Sequence, residues 1–405
     1  MPLPSSEHSI SRTHFNQANI WTDLSSSIDG VLLRSSRPIP GASQSLSYLQ
    51  HHHIPFILLT NGGGKHESDR VSELSNSLSL PTPLTTNNFI QSHTPIADFL
   101  HTFPHHPSGE GLPAESTILV VGGEANNCRS VAQSYGFRNV VTPADILTAH
   151  PEMWPFSHVF SDYYSRFAQP LVRPINPSSP SSSLKIDAIF VFNDPRDWAL
   201  DIQLILDLLL SNSGILGTVS ERNGNKTLPN NGYQQHDQPP LYFSNPDLLW
   251  AAGYHLPRLG QGGFIHALEG VWHRITHGAK LQSTVLGKPS RLTYEFAEKR
   301  LRSYRRDLLD KSEGPGEAGE LRKVYMVGDN PESDIMGANL YHSPHGTEWV
   351  SILVKTGVFR EDDDGGHYDF DARPQFRPET IVDDVQGAVT WALKDAGWKA
   401  KVGAH

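Results

Sequence analysis

Lys323 to Asp334 reads KVYMVGDNPESD, and no other stretch of this 405-residue chain concentrates so many groups able to do chemistry. Val324 to Val327 is a short apolar run of the kind that forms a buried parallel strand, and the residues after it turn abruptly polar and acidic. Such a strand would deliver Gly328, Asp329, Asn330 and then Asp334 to its carboxyl end, where ligands bind in open α/β sheets. Magnesium takes one or two carboxylates, several waters and a substrate phosphate, so Asp329 and Asp334 are a suitable pair of hard ligands. An acidic turn that caps the following helix fits the same residues.

A second polar terminus follows Ile54 to Leu59, where IPFILL runs into Thr60, Asn61 and three consecutive glycines, Gly62 to Gly64. A hydroxyl followed by backbone without Cβ atoms lets amide groups approach an anion, and a helix from about Glu67 to Leu78 would add its N-terminal partial charge. A glycine-rich turn without any ligand is the alternative, and a dinucleotide site fits poorly because the glycines are not spaced G-x-G-x-x-G. Lys288, in TVLGKP, is a loop lysine that is either a solvated charge or a partner for an anion. Asp29 and Gly30 form a turn at a strand end within SSSIDGVLLR. Asn193, Asp194, Arg196 and Asp197 follow the strand-like Lys185 to Phe192 and sit where a ligand can be reached, or else Asp194 caps the next helix and Arg196 pairs with an acid.

Composition narrows the classes. With 37% hydrophobic residues the chain can bury a sizeable core and has the length of two domains. A formal charge of −10 with scattered Lys and Arg gives no footprint for nucleic acid. The lone cysteine, Cys128, excludes an internal disulfide framework, and the 21 histidines show no paired metal-ligand spacing. No apolar run is long enough to span a membrane, so membrane insertion is not expected. The first twenty residues lack the Arg-rich pattern of a transit peptide and the apolar core of a secretory signal.

The elements that must position these groups read as strands alternating with helices, which argues for a parallel sheet. Helices are expected near Ala42 to His51, Arg129 to Tyr135, Trp198 to Leu210, Leu292 to Ser303 and Gln386 to Lys394. Asn176 to Ser183 and Glu221 to Pro240 read as mobile polar loops. A strand ahead of Ser27 is poorly supported, because Asp23 and three serines interrupt what should be a buried run.

In order along the chain, IDGVLLR, LLTNGGG, LGKP and VGDNPESD resemble the four motifs of the haloacid dehalogenase superfamily, with a large insertion between the second and third. An insertion at that point is typical of class IIA members. The resemblance extends through RPIPGA, VFNDPRDW and YFSNPDLLWA, from about Ser27 to Leu393, and is closest to the eukaryotic, often mitochondrial, hydrolases of the cat eye syndrome critical region family. It implies an α/β fold: a Rossmann-like core with a parallel sheet and an inserted α/β cap of the C2 type. The expected boundaries are a flexible N-terminus over 1–14, a core of 15–65 plus 280–405, and a cap of 66–279.

The resemblance also implies roles. Asp29 acts as acid and base; Thr60, Asn61, Gly62 and Lys288 bind the phosphoryl group; Asp29, Asp329 and Asp334 surround Mg²⁺; and Asn193, Asp194, Arg196 and Asp197 read the leaving group of a small phosphorylated metabolite. The compartment implied is intracellular, mitochondrial by resemblance or cytoplasmic for want of a visible transit peptide. The family's nucleophile is an aspartate two residues before the acid-base aspartate, and here that residue is Ser27. The implied activity is therefore an impaired Mg²⁺-dependent phosphatase, or an inactive protein that keeps a phosphate-ligand cleft; an altered first exon would account for Ser27 as well.

Overall fold

The structure, a computed structural model, describes residues 22–34, 36–103, 110–156, 160–250, 254–256, 258–312, 320–359 and 369–398. The N-terminal stretch 1–14, expected to be flexible, lies outside them. In chain order the elements are β1 (Thr22–Ser26), the small hairpin β2 (Leu33–Arg34) and β3 (Arg37–Pro38), α1 (Ala42–His51), β4 (Phe56–Leu59), α2 (Glu67–Ser77) and β5 (Phe89–Ile90). Next come β6 (Thr117–Val121), α3 (Asn127–Ser134), β7 (Asn139–Val141), α4 (Pro143–Ala149), α5 (Ser161–Phe167), β8 (Ala188–Val191), α6 (Trp198–Leu210) and β9 (Leu241–Phe243). A second hairpin, β10 (Leu249–Trp250) and β11 (Arg258–Leu259), precedes α7 (Gln261–Ile275), β12 (Thr284–Val285) and α8 (Arg291–Ser312). The chain closes with β13 (Lys323–Gly328), α9 (Met336–Leu340), β14 (Glu348–Val354), β15 (Thr380–Val382) and α10 (Val385–Asp395).

These strands make two parallel sheets, one of six strands in the order β15-β14-β13-β1-β4-β5 and one of five in the order β12-β9-β8-β6-β7. Helices cover the faces of both, as parallel sheets require. Leu46 and Leu49 of α1, Val71 and Leu74 of α2 and Val389 of α10 pack with Leu24, Phe56, Tyr325 and Val327 on one face of the first sheet. Tyr294, Ala297 and Leu301 of α8 pack with Ile57, Leu59, Val324 and Met326 on the other. The second sheet is sandwiched in the same way, by α6 and α7 on one side and α3 on the other. Among the described residues no helix is long and apolar enough to cross a membrane.

Three expectations need correction. The strand ahead of Ser27 is present, and it is central: β1 pairs in parallel with both β13 and β4. Its acidic residue is reconciled with burial by a partner far off in sequence, since Asp23, wholly buried, forms an ion pair with Arg305 of α8. The boundaries 65/66 and 279/280 do not follow the sheets, because α2 and β5 stay with the first sheet while β12 belongs to the second. The reason is physical: Phe89 and Ile90 find a buried edge beside β4, whereas β12 extends the edge of β9. Glu221 to Pro240, read as mobile, is pinned instead: the Asn230 side chain donates to Lys280 O at 2.8 Å and accepts from Lys280 N at 2.8 Å. Gln234 brackets Gln282 likewise, at 2.9 and 2.8 Å.

A buried polar cluster joins the two sheets' surroundings. Tyr135, just after α3, donates to Glu67 of α2 at 2.5 Å, so the imidazole of wholly buried His93 donates from Nδ1 to the Tyr135 oxygen at 2.7 Å. The ring stacks on Phe192, and burial pushes its pKa down to about 4. A folded-state pKa below the unfolded value of 6.5 gives stability that is fully present above pH 6.5 and lost as pH falls through about 4, worth up to about 3 kcal/mol. Buried Asp23, Asp247 and Asp329, whose carboxyls are raised, shift stability the opposite way over this range, so the His93 contribution is read as a difference: the stability advantage of the wild type over His93→Gln in denaturant unfolding should shrink by about 2–3 kcal/mol between pH 7 and pH 4.5. An equal slope in the variant would assign any acid lability to other groups.

Candidate functional site

β1, β4 and β13 lie side by side and run the same way, so their carboxyl ends open on one edge. Ser26 is level with Val327 on one side and with Leu58 on the other, which brings Ser27 to Gly30, Gly328 to Asn330 and Thr60 to Gly64 together. The three motif loops of the sequence therefore form one cleft. Lys288 enters it from the end of β12, only 2% exposed, and Nζ donates to Ser27 Oγ at 3.0 Å and to Asp334 Oδ1 at 2.6 Å.

The Lys288 backbone is held by Asn61, whose Oδ1 accepts from Lys288 N at 2.7 Å and whose Nδ2 donates to Lys288 O at 3.0 Å. Nδ2 also donates to Asp247 Oδ1 at 3.1 Å. Asp247 was not foreseen, although the same signal could have found it: it ends the FSNPD segment after β9, at a carboxyl strand end. Burial raises its carboxyl to about 6 against the pull of Asn61 and Lys288. Asn61 thus clasps elements of both sheets.

Asp334 and Asp329 behave differently. Asp334 Oδ2 accepts the backbone N–H groups of Asp329 and Asn330, each at 3.1 Å, and its other oxygen is taken by Lys288, so this residue braces the loop. Asp329 Oδ2 accepts from Val358 N at 2.8 Å, while Oδ1 has no donor among the described residues. Burial, and then the charge of Asp334, raise the Asp329 carboxyl to about 7. Glycine is required on both sides of it: a Cβ on Gly30, which has φ +79°, would fall 2.2 Å from Asp329 Oδ2, and one on Gly357 would fall 2.0 Å away. Asp29 is exposed at the open side of the cleft, yet the protein around it raises its carboxyl above the ordinary range, desolvation outweighing Arg70 and Lys288.

Two carboxyls destabilised by burial, one with a free oxygen, fit a divalent cation, which would reverse both penalties. Among the described residues no three His, Cys, Asp or Glu side chains form a cage, so water and a ligand oxygen would complete the shell.

The cap residues expected to read a substrate divide. Asn193 packs against the glycine loop, since a Cβ on Gly64 would sit 2.8 Å from Asn193 Cγ. Asp197 caps α6 by accepting from Leu200 N at 3.2 Å, and Tyr164 donates to it at 3.1 Å. Arg196 folds back on Asp194 O at 2.7 Å, and Asp194 Oδ1 is buried without a partner among the described residues. Only Asn193 of the four touches the cleft loops in these contacts.

The family description "Haloacid dehalogenase-like hydrolase" matches residues 24–138, and "HAD-hydrolase-like" matches residues 285–388. The chain is 38% identical over 381 residues to mitochondrial hydrolase YKR070W of Saccharomyces cerevisiae, covering 91% of this chain and 94% of that one. It is also 38% identical over 370 residues to a cardiolipin synthase (CMP-forming) and mitochondrial hydrolase fusion protein of Schizosaccharomyces pombe, where 91% of this chain spans only 52% of the longer protein. Among solved structures it is similar to p-nitrophenyl phosphatase from Archaeoglobus fulgidus, with TM-score 0.54, 15% identity and coverage of 91% and 97% of the two chains. Glycerol phosphate phosphatase Rv1692 from Mycobacterium tuberculosis, in complex with calcium, gives TM-score 0.53 at 18% identity over 91% and 74%. At these identities the two structures speak for the fold.

Proposed function

We propose that this chain, which belongs to the haloacid dehalogenase-like hydrolases, holds a small phosphoric monoester beside Mg²⁺ and hydrolyses it poorly, because Ser27 stands where the family's chemistry needs a carboxylate. The observation that supports this reading is the Lys288 ammonium, buried between Ser27 Oγ and Asp334 and fixed by Asn61. A cation held so firmly over a strand-end cleft is suited to an anion with little reorganisation. The N–H groups of Gly63 and Gly64 have no acceptor among the described residues and would take phosphoryl oxygens with Thr60 and Asn61. Asp29 would hand a proton to the leaving oxygen. Asp329 would hold Mg²⁺, joined by Asp29 when that carboxyl is ionised, and Mg²⁺ when bound offsets phosphate charge.

Asn193, with Asp194, Arg196 and Asp197 behind it, would meet the leaving group. The chain's similarity to a glycerol phosphate phosphatase makes a glycerol phosphate the first monoester to try, and its similarity to a mitochondrial hydrolase makes mitochondria the compartment. Inorganic phosphate at millimolar concentration should raise the melting temperature of the protein, and Lys288→Met, checked for fold by circular dichroism, should weaken that binding by about 100-fold. A wild-type protein indifferent to phosphate would sink the reading. Retention of a phosphate ligand without turnover is the second reading; the Ser27 hydroxyl, neutral and already bonded to Lys288, favours it.

A further inference from the structure

The second sheet has a crevice of its own. β6 is its first strand, with β7 on one side and β8 on the other, so the direction of strand addition reverses between β6 and β8. Ligands bind outside the carboxyl ends of strands at such reversals. A crevice open to solvent lies there, bordered by Gly123, Tyr163, Tyr164, Phe167, Asp197 and Asp201. Ser27, Asp29, Thr60, Asn61, Lys288, Asp329 and Asp334 do not border it, while Arg196 and Asp197, which stand behind Asn193, do.

Asp201 is the unexplained group. It is 5% exposed, lines the space, and receives no hydrogen bond among the described residues. Burial, and then the charge of Asp197, hold its carboxyl well above the ordinary range. The other charges nearby are accounted for. Arg129 is consumed by Asp145 at 2.7 Å and by Val140 O at 2.8 Å, while Arg196 lies half in solvent over Asp194 O. The partial positive charges of the helix ends are already met, because Asp197 caps α6 and Asp145 accepts from Thr142 N at the start of α4. What remains is one buried carboxyl without a partner among the described residues, in a crevice walled by aromatic rings. A metal ion would find no third protein carboxylate, and an apolar wall suits it badly.

We propose that this crevice binds a small organic amine as its ammonium ion, Asp201 pairing with the charge and the α5 rings enclosing the apolar body. Tyrosine and phenylalanine faces attract such a cation as well as its hydrocarbon. The proposal stands apart from the phosphatase reading, and neither depends on the other.

The full chain titrated calorimetrically with 2-phenylethylamine should bind one equivalent, at least about tenfold more tightly than its neutral isostere 2-phenylethanol. Asp201→Asn, or Asp201→Leu if the first does not fold, should erase that preference, and saturating inorganic phosphate should leave amine binding unchanged. Absence of binding, equal affinity for amine and alcohol, an undiminished preference in a folded Asp201 variant, or displacement by phosphate would each overturn it. The wild-type contrast decides the matter even if neither variant folds.

Discussion

Aspartate in place of Ser27 is expected to raise hydrolysis of a generic aryl phosphate in the presence of Mg²⁺ by about a thousandfold or more. The backbone at this position is already fixed: Ser27 N donates to Val327 O at 2.9 Å, and Ser26 Oγ donates to Ser27 O at 2.8 Å. The exchange therefore alters the reacting group more than its place. A carboxylate there would be a nucleophile paired with Lys288, two residues before Asp29, and a further anionic oxygen beside Asp329. Covalent catalysis and charge stabilisation each contribute several kcal/mol to such reactions, and every 1.36 kcal/mol is tenfold in rate, so about three decades is a modest expectation. Ser27→Asn, similar in size but not a nucleophile, should gain nothing. A folded, metal-binding Ser27→Asp protein without turnover would show that the family's mechanism does not operate in this cleft.

The largest effect on stability is expected at the other end of β1. Arg305→Met should destabilise the protein by about 3–5 kcal/mol, because it takes from the wholly buried Asp23 carboxylate the cation it is bonded to. Even with Arg305 present, desolvation lifts Asp23 to about 7, and Asp23 Oδ2 has no partner among the described residues. The pair is therefore costly as well as specific. The double variant Asp23→Leu with Arg305→Met should recover most of the loss in urea unfolding, since an apolar pair of similar volume carries no desolvation penalty. A single variant as stable as the parent would mean that Asp23 is satisfied by some other route.

The same pair shows where sequence reading fails. Thr22 to Ser26 has no apolar run, and what makes it a central strand is a guanidinium carried by α8, which no local pattern can reveal. The cleft was legible because each of its parts is local: an apolar strand followed at once by glycine, hydroxyl, amide or acid, as at Thr60 to Gly64 and Gly328 to Asp334. Roles within it were less legible. Asp334 reads as a metal ligand until both its oxygens are seen to be occupied, and Asp247 reads as a turn until Asn61 is found reaching it from the first sheet. The sheet to which β5 and β12 belong depends on edge pairing across long separations, and hydropathy carries no trace of that.

The interleaving of the two sheets also sets an order of events during synthesis. β1 needs β4 on one side and β13 on the other, and roughly 300 residues separate it from the second of these, about 15–60 s at ordinary translation rates. Every strand of the second sheet, through Val285, leaves the ribosome within that interval. The nascent first sheet meanwhile presents the β13-facing edge of β1 unpaired, with Asp23 awaiting Arg305. An open edge of this kind recruits strands from other chains, so the polar makeup of β1, unfavourable in the finished core, keeps the waiting edge soluble until its neighbour arrives.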